Sequence, residues 1–324
     1  MKAIWVEAPG GPEVLKLAEG PRPEPGAGEA LVRLHTAGIN FIDVYHRRGQ
    51  AAPPKGLPGI LGREGAGEVV ALGPGAEHVR VGDRVAFAAV QGAYAAYIAV
   101  PTTKLIPLPP AVDWITGAAA PLQAMTAHYL IHTLHETRPG ETVLIHAAAG
   151  GVGQLAIQMA KRAGARVIGT VSTAAKAELA RAAGADEIIN YAEQDFAEEA
   201  RRLTGGRGVD VVLDSVGKAT FPGSLRATRD RGQVIIFGSS SGPADPIGPN
   251  SLQNPSKTVS GGSLDYFTAT REELLERSGA VFGWLAEGAL RLRLERVLPL
   301  AEAAEAHRLL EGRHTTGKIV LTID

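Results

Sequence analysis

The run Gly140-Glu141-Thr142-Val143-Leu144-Ile145-His146-Ala147-Ala148-Ala149-Gly150-Gly151-Val152-Gly153-Gln154 carries an apolar strand pattern directly into glycines that open a helix. At such a turn the backbone approaches a pyrophosphate closely, and the first helical turn offers N–H groups and a partial positive charge to it. A Cβ would obstruct the approach. The spacing departs from G-x-G-x-x-G: Ala148 stands where the first glycine falls, two before Gly150, while Gly153 keeps the last place at the helix–strand contact. Ala149, Gly150, Gly151, Val152 and Gly153 are the expected cradle.

Glycine-rich turns also serve as plain connectors, and the surrounding pattern decides between the readings. From about Thr142 apolar runs of four to seven residues alternate with Ala-rich helical segments, which indicates βαβ units and a parallel sheet. Strands are expected at 142–147, 166–171, 187–190, 209–214, 233–238 and 258–261, with helices at 152–162, 174–183, 195–203 and 221–227. Six strands in this rhythm fit a doubly wound sheet of two mononucleotide-binding halves. Upstream, Met1 to about Val112 is dense in Gly and Pro, with short β-rich runs at 30–34, 67–72 and 92–100 and turns at 73–75 and 81–85. That is the pattern of an irregular, mostly β domain. A chain of 324 residues suits two domains of roughly 100–200 residues each. After residue 265 the alternation stops: 271–287 reads as a charged amphipathic helix, 291–297 follows it, and 317–323 is a terminal strand with no further βα partner, open to return to the first domain. The Ser/Pro/Gly stretch 239–256 has the length of a functional loop.

NAD-specific sites place an acid about 20 residues beyond the glycines, at the end of the second strand. Here that place reads Gly169-Thr170-Val171-Ser172-Thr173-Ala174-Ala175-Lys176, with two hydroxyls, a lysine one turn into the helix and no acid. A carboxylate would repel a 2′-phosphate, whereas Ser172 and Lys176 supply a hydrogen bond and a cation. NADP(H) is the expected cofactor, with Tyr191 at the end of the third strand as a further donor. The alternative for Lys176 is a solvated helix residue.

The charge balance, 33 Lys+Arg against 34 Asp+Glu, argues against a broad polyanion-binding surface and makes nucleic acid an unlikely partner. With no cysteine, disulfides, Cys-ligated metals and a thiolate nucleophile are excluded. The N-terminal residues meet Glu7 before any long apolar run, and the most apolar stretch, 114–134, is interrupted by Pro121, Gln123 and His128. A cytoplasmic chain with no membrane helix is expected. Scarce Met and absent Cys, with Arg outnumbering Lys, hint at a heat-adapted source.

The sequence resembles the medium-chain dehydrogenase/reductase superfamily and, within it, the zeta-crystallin-like NADPH:quinone oxidoreductases, nearly end to end. The pattern Gly140-Glu141-x-x-Leu144-x-x-x-Ala148-Ala149-Gly150-Gly151-x-Gly153-x-x-x-x-Gln158-x-x-Lys161 fits the quinone-reductase signature at every fixed position. The segment Gly38-Ile39-Asn40-Phe41-Ile42-Asp43-Val44-Tyr45-His46-Arg47-Arg48-Gly49 looks like the family's active-site segment, and Leu61-Gly62-Arg63-Glu64-Gly65-Ala66-Gly67 is a third match. The resemblance implies an α/β architecture: a GroES-like β-rich catalytic domain at 1–113 and 266–324, with an inserted six-stranded doubly wound (Rossmann) domain for NADPH at 114–265. The zinc branch uses a Cys in the second piece and Gly-His-Glu in the third, where this chain has Asn40 and Arg63. A catalytic zinc lacks its thiolate and imidazole, and no metal is expected. Glu64 then reads as a structural ion-pair partner, with Arg63 as a candidate. A rival metal reading is His128, His132 and His135 on one helix face; a polar face is the alternative. His46 and His146 are further polar candidates without an assigned role.

The expected chemistry is hydride transfer from NADPH to a quinone, in which the protein orients both rings and excludes water. Asn40 is a candidate donor to a substrate carbonyl or to the cofactor, and Tyr45 a proton donor or pocket wall. The alternatives are a turn-holding Asn40 and a core-packing Tyr45. The resemblance places Thr126 beside the nicotinamide, and Phe237, Gly238, Ser239 and Ser240 lie at the carboxyl edge of the fifth strand, where such ligands bind. Ser215 reads equally as a helix cap. An NADPH-dependent enone or enoyl-thioester reductase is the second enzyme reading, in which Tyr45 as acid matters more. An NADPH-binding structural or RNA-binding protein of zeta-crystallin type is the third. The last Rossmann strand would form a sheet edge, so a homodimer pairing across it is expected.

Overall fold

The computed structural model describes residues 1–312 and 315–323. The chain divides into two compact units, Met1–Met125 with Phe267–Asp324, and Thr126–Tyr266. The first boundary falls later than the expected 113/114 because the helix Trp114–Ala119 packs on the strands Glu29–Gly38 and Glu64–Leu72 of the first unit. Asp113 caps that helix, accepting from Thr116 N at 2.6 Å. At Gly117 a Cβ would come within 2.9 Å of Leu108 and 3.1 Å of Ala66, so a small residue sets this packing distance.

In the first unit the long strand Glu29–Gly38 is the axis of a seven-stranded sheet. It pairs antiparallel with Glu64–Leu72, with Tyr97–Pro101 and with the terminal strand Lys318–Thr322, whose Val320 stands opposite Gly38. The terminal strand thus returns to the N-terminal unit, where Leu294–Pro299 pairs parallel with its other edge. Two readings need correction here. The expected strand at 92–100 is only Tyr97–Pro101, because the backbone before it bonds away from the sheet axis, Gly92 N to Gly62 O and Tyr94 N to Leu61 O. The expected turn at 81–85 ends early, with Arg84 opening the strand Arg84–Ala88. Val32, Leu34, Phe87, Tyr94, Ile319 and Leu321 belong to the shared core.

The second unit is a six-stranded parallel sheet. Numbered in chain order its strands run 3-2-1-4-5-6: Glu187–Asn190, Arg166–Val171, Thr142–Ile145, Val209–Asp214, Thr228–Ile236 and Thr258–Gly261. Helices Gly151–Arg162, Ala174–Ala182, Phe196–Leu203 and Phe221–Ala227 connect them. The central strand Val209–Asp214 is buried throughout, as expected when helices cover both faces. The first strand stops before the expected residue 147 because Ala147 turns into the left-handed region at φ 49°. The fifth starts earlier than the expected 233, since Thr228 already pairs with Val209, and it ends when Phe237 N bonds to Asp214 O. The reversal of strand order lies beside Thr142–Ile145, so its carboxyl end is the topological switch point.

Candidate active site

The helix Gly151–Arg162 starts at that switch point. Gly150 precedes it as N-cap with extended backbone and no side-chain cap, so no side chain competes for the first N–H groups. A Cβ on Gly150 would meet only Ala147 O, at 3.1 Å, whereas one on Gly153 would press on the carbonyls of Ala147 and Ala148, the latter at 2.9 Å. Gly150 therefore keeps the outer side of the turn open and Gly153 closes the helix onto the strand, as the glycine spacing predicts. The missing first glycine is explained by Gly169 on the second strand, where a Cβ would lie 2.8 Å from the Ala148 methyl. The gap needed for close packing is supplied by the neighbouring strand.

The second strand ends at Val171, and Tyr191 N donates to Val171 O at 3.0 Å, which brings Tyr191 alongside Ser172. Thr173 caps the helix Ala174–Ala182, accepting from Lys176 N at 3.3 Å, so Lys176 stands in the first helical turn. Ser172 and Lys176 are half-buried and Tyr191 is exposed, in a segment without a carboxylate. At the carboxyl edge, Phe237 to Ser240 lie on the loop after the fifth strand: Ser240 N donates to Ser215 O at 3.2 Å, and a Cβ on Gly238 would meet the same carbonyl at 2.8 Å. Thr126 is nearly buried on the helix Pro121–Tyr129. The cradle and the second-strand group fit a dinucleotide with an additional phosphate on its adenosine end.

Beneath the cradle runs a buried polar chain that sequence reading missed. The imidazole of His146, the residue before the left-handed Ala147, has Nδ1 2.8 Å from Thr170 Oγ1 and Nε2 3.0 Å from Ser224 Oγ. Ser224 Oγ donates to Asp214 Oδ2 at 2.8 Å, and Asp214 Oδ1 accepts from Val216 N and Gly217 N. A neutral imidazole with its proton on Nε2 satisfies both neighbours. Burial holds His146 down to about 4, against the opposing pull of Asp214. It links the ends of strands one, two and four and is not a pocket lining. The signal was the polar Thr170, Asp214 and His146 at the ends of otherwise apolar strands.

The triple-histidine reading loses its geometry. The helix passes into a π-helical turn at Leu130–Leu134, which resets the spacing. His128 and His132 lie with ring centroids 4.9 Å apart, while His135 bonds to Gln233 and Glu141. Among the described residues no group of three ligands converges on a metal.

In the first unit the segments 38–49 and 61–67 meet around a buried ion pair. Asn40 caps the helix Phe41–Arg48, its N–H donating to Asp43 Oδ2 at 2.9 Å. Its side chain does not point outward: Oδ1 accepts from Lys318 Nζ at 2.7 Å and Nδ2 donates to Glu64 Oε2 at 2.9 Å. Lys318 and Glu64 form a salt bridge with both side chains fully inaccessible. The partner expected for Glu64, Arg63, donates instead to Ala89 O. The other Glu64 oxygen accepts from Leu122 N at 2.6 Å. Only glycine fits at position 38, where a Cβ would press on Ala118 O and Glu64 and lie 2.9 Å from Lys318 Cε. Zinc does not fit: the set has neither thiolate nor imidazole, and its oxygens are engaged by the Lys318 ammonium and the Leu122 N–H.

Asp43 Oδ2 also accepts from Tyr94 OH at 2.8 Å, and that hydroxyl lies 3.3 Å from His307 Nε2. Burial pushes the Asp43 carboxyl up to about 6, with the Tyr94 and Asn40 hydrogen bonds pulling against it, and raises the Tyr94 phenol. Burial and the nearby Arg47 guanidinium hold His307 down to about 3. Arg47, also inaccessible, is bidentate to Glu311 at 2.9 and 2.6 Å. His46 is buried too. The more accessible face of the helix carries Phe41 and Tyr45, with ring centroids 6.0 Å apart. Of the two predicted catalytic side chains, Tyr45 is half-buried, whereas Asn40 is buried with its amide engaged by Lys318 and Glu64.

Residues 151–278 match the family described as zinc-binding dehydrogenase, and residues 26–110 match the alcohol dehydrogenase GroES-like domain. A quinone oxidoreductase of Pseudomonas aeruginosa is 43% identical over 322 residues, covering 99% of each chain. A 2-haloacrylate reductase of a Burkholderia species is 42% identical over 326 residues, covering 98% of each. The crystal structure of Escherichia coli quinone oxidoreductase complexed with NADPH matches at a TM-score of 0.96 with 41% identity, over 99% of this chain and 100% of that one.

Proposed function

The chain belongs to the zinc-independent quinone oxidoreductases of the medium-chain dehydrogenase/reductase superfamily, and from that membership we propose that it reduces a small quinone with NADPH. Carrying the reading is a nucleotide cradle at the switch point, with a lysine and two hydroxyls but no carboxylate in residues 172–176 at the end of the second strand. Ala149, Gly150, Gly151, Val152 and Gly153 would hold the pyrophosphate with backbone N–H groups. Ser172, Lys176 and Tyr191 would hold the 2′-phosphate, and Thr126 with Phe237, Gly238, Ser239 and Ser240 would line the nicotinamide end. Bound NADPH would supply the hydride.

What remains for the protein is orientation and water exclusion. Phe41 and Tyr45 offer an aromatic wall on which a planar acceptor can stack. A reduced quinone leaves a phenolate-type oxygen that water can protonate, so a buried acid is not needed. Asn40 acts by holding the helix that carries that wall, since its amide is already committed. A second reading, reduction of an activated alkene, is favoured by the 2-haloacrylate reductase relative and by the half-buried Tyr45, which could protonate the carbon adjacent to a carbonyl.

NADPH absorbance followed with a small quinone, an aromatic ortho-quinone, an enone, a haloacrylate and an enoyl thioester separates the two. Rapid oxidation by quinones supports the first reading. Turnover confined to the alkenes replaces it with the second, and tight NADPH binding without turnover would leave a binding protein. A cytoplasmic homodimer completes the proposal. Supporting the dimer is the strand Thr258–Gly261, which among the described residues pairs with Thr228–Ile236 alone, followed by Tyr266 at 81% exposure.

A further inference from the structure

We infer that Lys318 is a positioning residue for the reduction, acting through Asn40 and Glu64 as a cation built into the fold. The inference rests on the quinone reductase reading only for its choice of acceptor. Lys318 comes from the terminal strand and reaches two residues of the N-terminal segments, 278 positions from Asn40 and 254 from Glu64. Its side chain is inaccessible, and so is that of Glu64.

A buried ion pair is a poor device for stability alone, since well-packed apolar residues of similar volume usually serve as well or better. What an ion pair supplies is direction. The Asn40 amide presents its oxygen to the ammonium and its NH₂ to the carboxylate, so a flipped amide would set NH₂ against a cation and oxygen against an anion. Only one orientation is tolerated. Asn40 begins the helix that carries Phe41 and Tyr45. Glu64 meanwhile holds Leu122 N in the first turn of the helix Pro121–Tyr129. Lys318 thus stands at the junction from which two site-bearing helices start, while the glycine cradle and the Ser172–Lys176 group are built from other residues. Disturbing the junction should therefore lower turnover, while the glycine cradle and the Ser172–Lys176 group, which carry most of the NADPH affinity, stay in place.

Removing one charge strands the other in the core, so two neutral replacements are compared on the full-length protein, E64Q/K318M and E64L/K318L. Thermal melting, NADPH affinity by fluorescence titration, and kcat and KM are measured. The ratio to the unmodified protein is taken on whichever acceptor that protein reduces, so failure of the quinone reading leaves the ratio readable. The expected result is a cooperative melt and NADPH affinity within about twofold, with kcat down about tenfold to a hundredfold, the scale on which small misplacements act. A folded double variant with kcat within about twofold of the parent overturns the inference. So does loss of cooperative melting in both variants, which would make the pair a requirement of the fold, or a loss of NADPH affinity that accounts for the whole decrease.

Discussion

Lys176 stands half-buried in the first turn of its helix, beside Ser172 and within a segment free of carboxylates. Replacing it with Ala should weaken NADPH about tenfold to a hundredfold, the worth of a charge-assisted hydrogen bond, and leave NADH nearly unchanged. Equal losses for the two cofactors in parallel titrations would show that the lysine does not read the 2′-phosphate. Tyr45 gives a second residue-level test. Tyr45→Phe keeps the aromatic wall and removes the proton, so quinone turnover should hold within about threefold while any haloacrylate or enone turnover falls further. The place of Lys176 in the first helical turn after the second strand was legible because strand end and helix start sit next to each other in the chain. Lys318 was not, since nothing local marks a lysine in the apolar pattern Lys318–Thr322 as the partner of a glutamate 254 residues away. Asn40 was half legible: its place at the helix start followed from the segment, its inward amide only from that lysine.

The βα turn shows how an element tolerates a departure from its usual spacing. Ala147 takes the left-handed conformation, Ala148 fills the space left by Gly169, and Gly153 must stay without a side chain for the helix to seat. Gly153→Ala should cost about 1–3 kcal/mol by overpacking and weaken NADPH, because relief of the clash tilts the helix away from the strand. Unchanged melting and affinity would mean that the turn absorbs a methyl group. Four Rossmann strands match their expected limits because continuous apolar runs between turn residues mark them. The strands of the first unit were harder to delimit, since there the backbone bonds across loops, as from Gly92 and Tyr94 to Gly62 and Leu61. The π-helical turn after Tyr129 left no trace in the residue pattern, which still reads as one continuous helix face.

Across the whole molecule, buried titratable groups set an acid limit whose sign can be worked out. His146 and His307 are held to about 4 and about 3, below an ordinary 6.5, so the unfolded chain takes up protons on both as pH falls through 6.5. Asp43, raised to about 6 from 3.8, binds its proton earlier in the folded state and offsets one of the two. For these three groups the balance is about one proton in favour of the unfolded state between about pH 4 and 6. His35, lowered by burial and by Arg33, adds in the same direction, so stability should fall on acidification there by about 1.4 kcal/mol per pH unit or more. A melting temperature that stays level or rises from about pH 7 to about pH 4.5 would contradict this. Both cores and the return of the terminal strand were foreseeable from the pattern of apolar segments; the polar networks joining distant segments were not. The central claim is zinc-independent reduction by NADPH, with the buried Lys318–Glu64 pair holding the helices around the site rather than entering the chemistry. Its most direct test is the rate of NADPH oxidation by a quinone on protein stripped with a strong chelator, with residual zinc quantified in the same sample. The expected rate is that of untreated protein at negligible zinc; a rate that vanishes with the metal and returns on adding zinc would contradict the account.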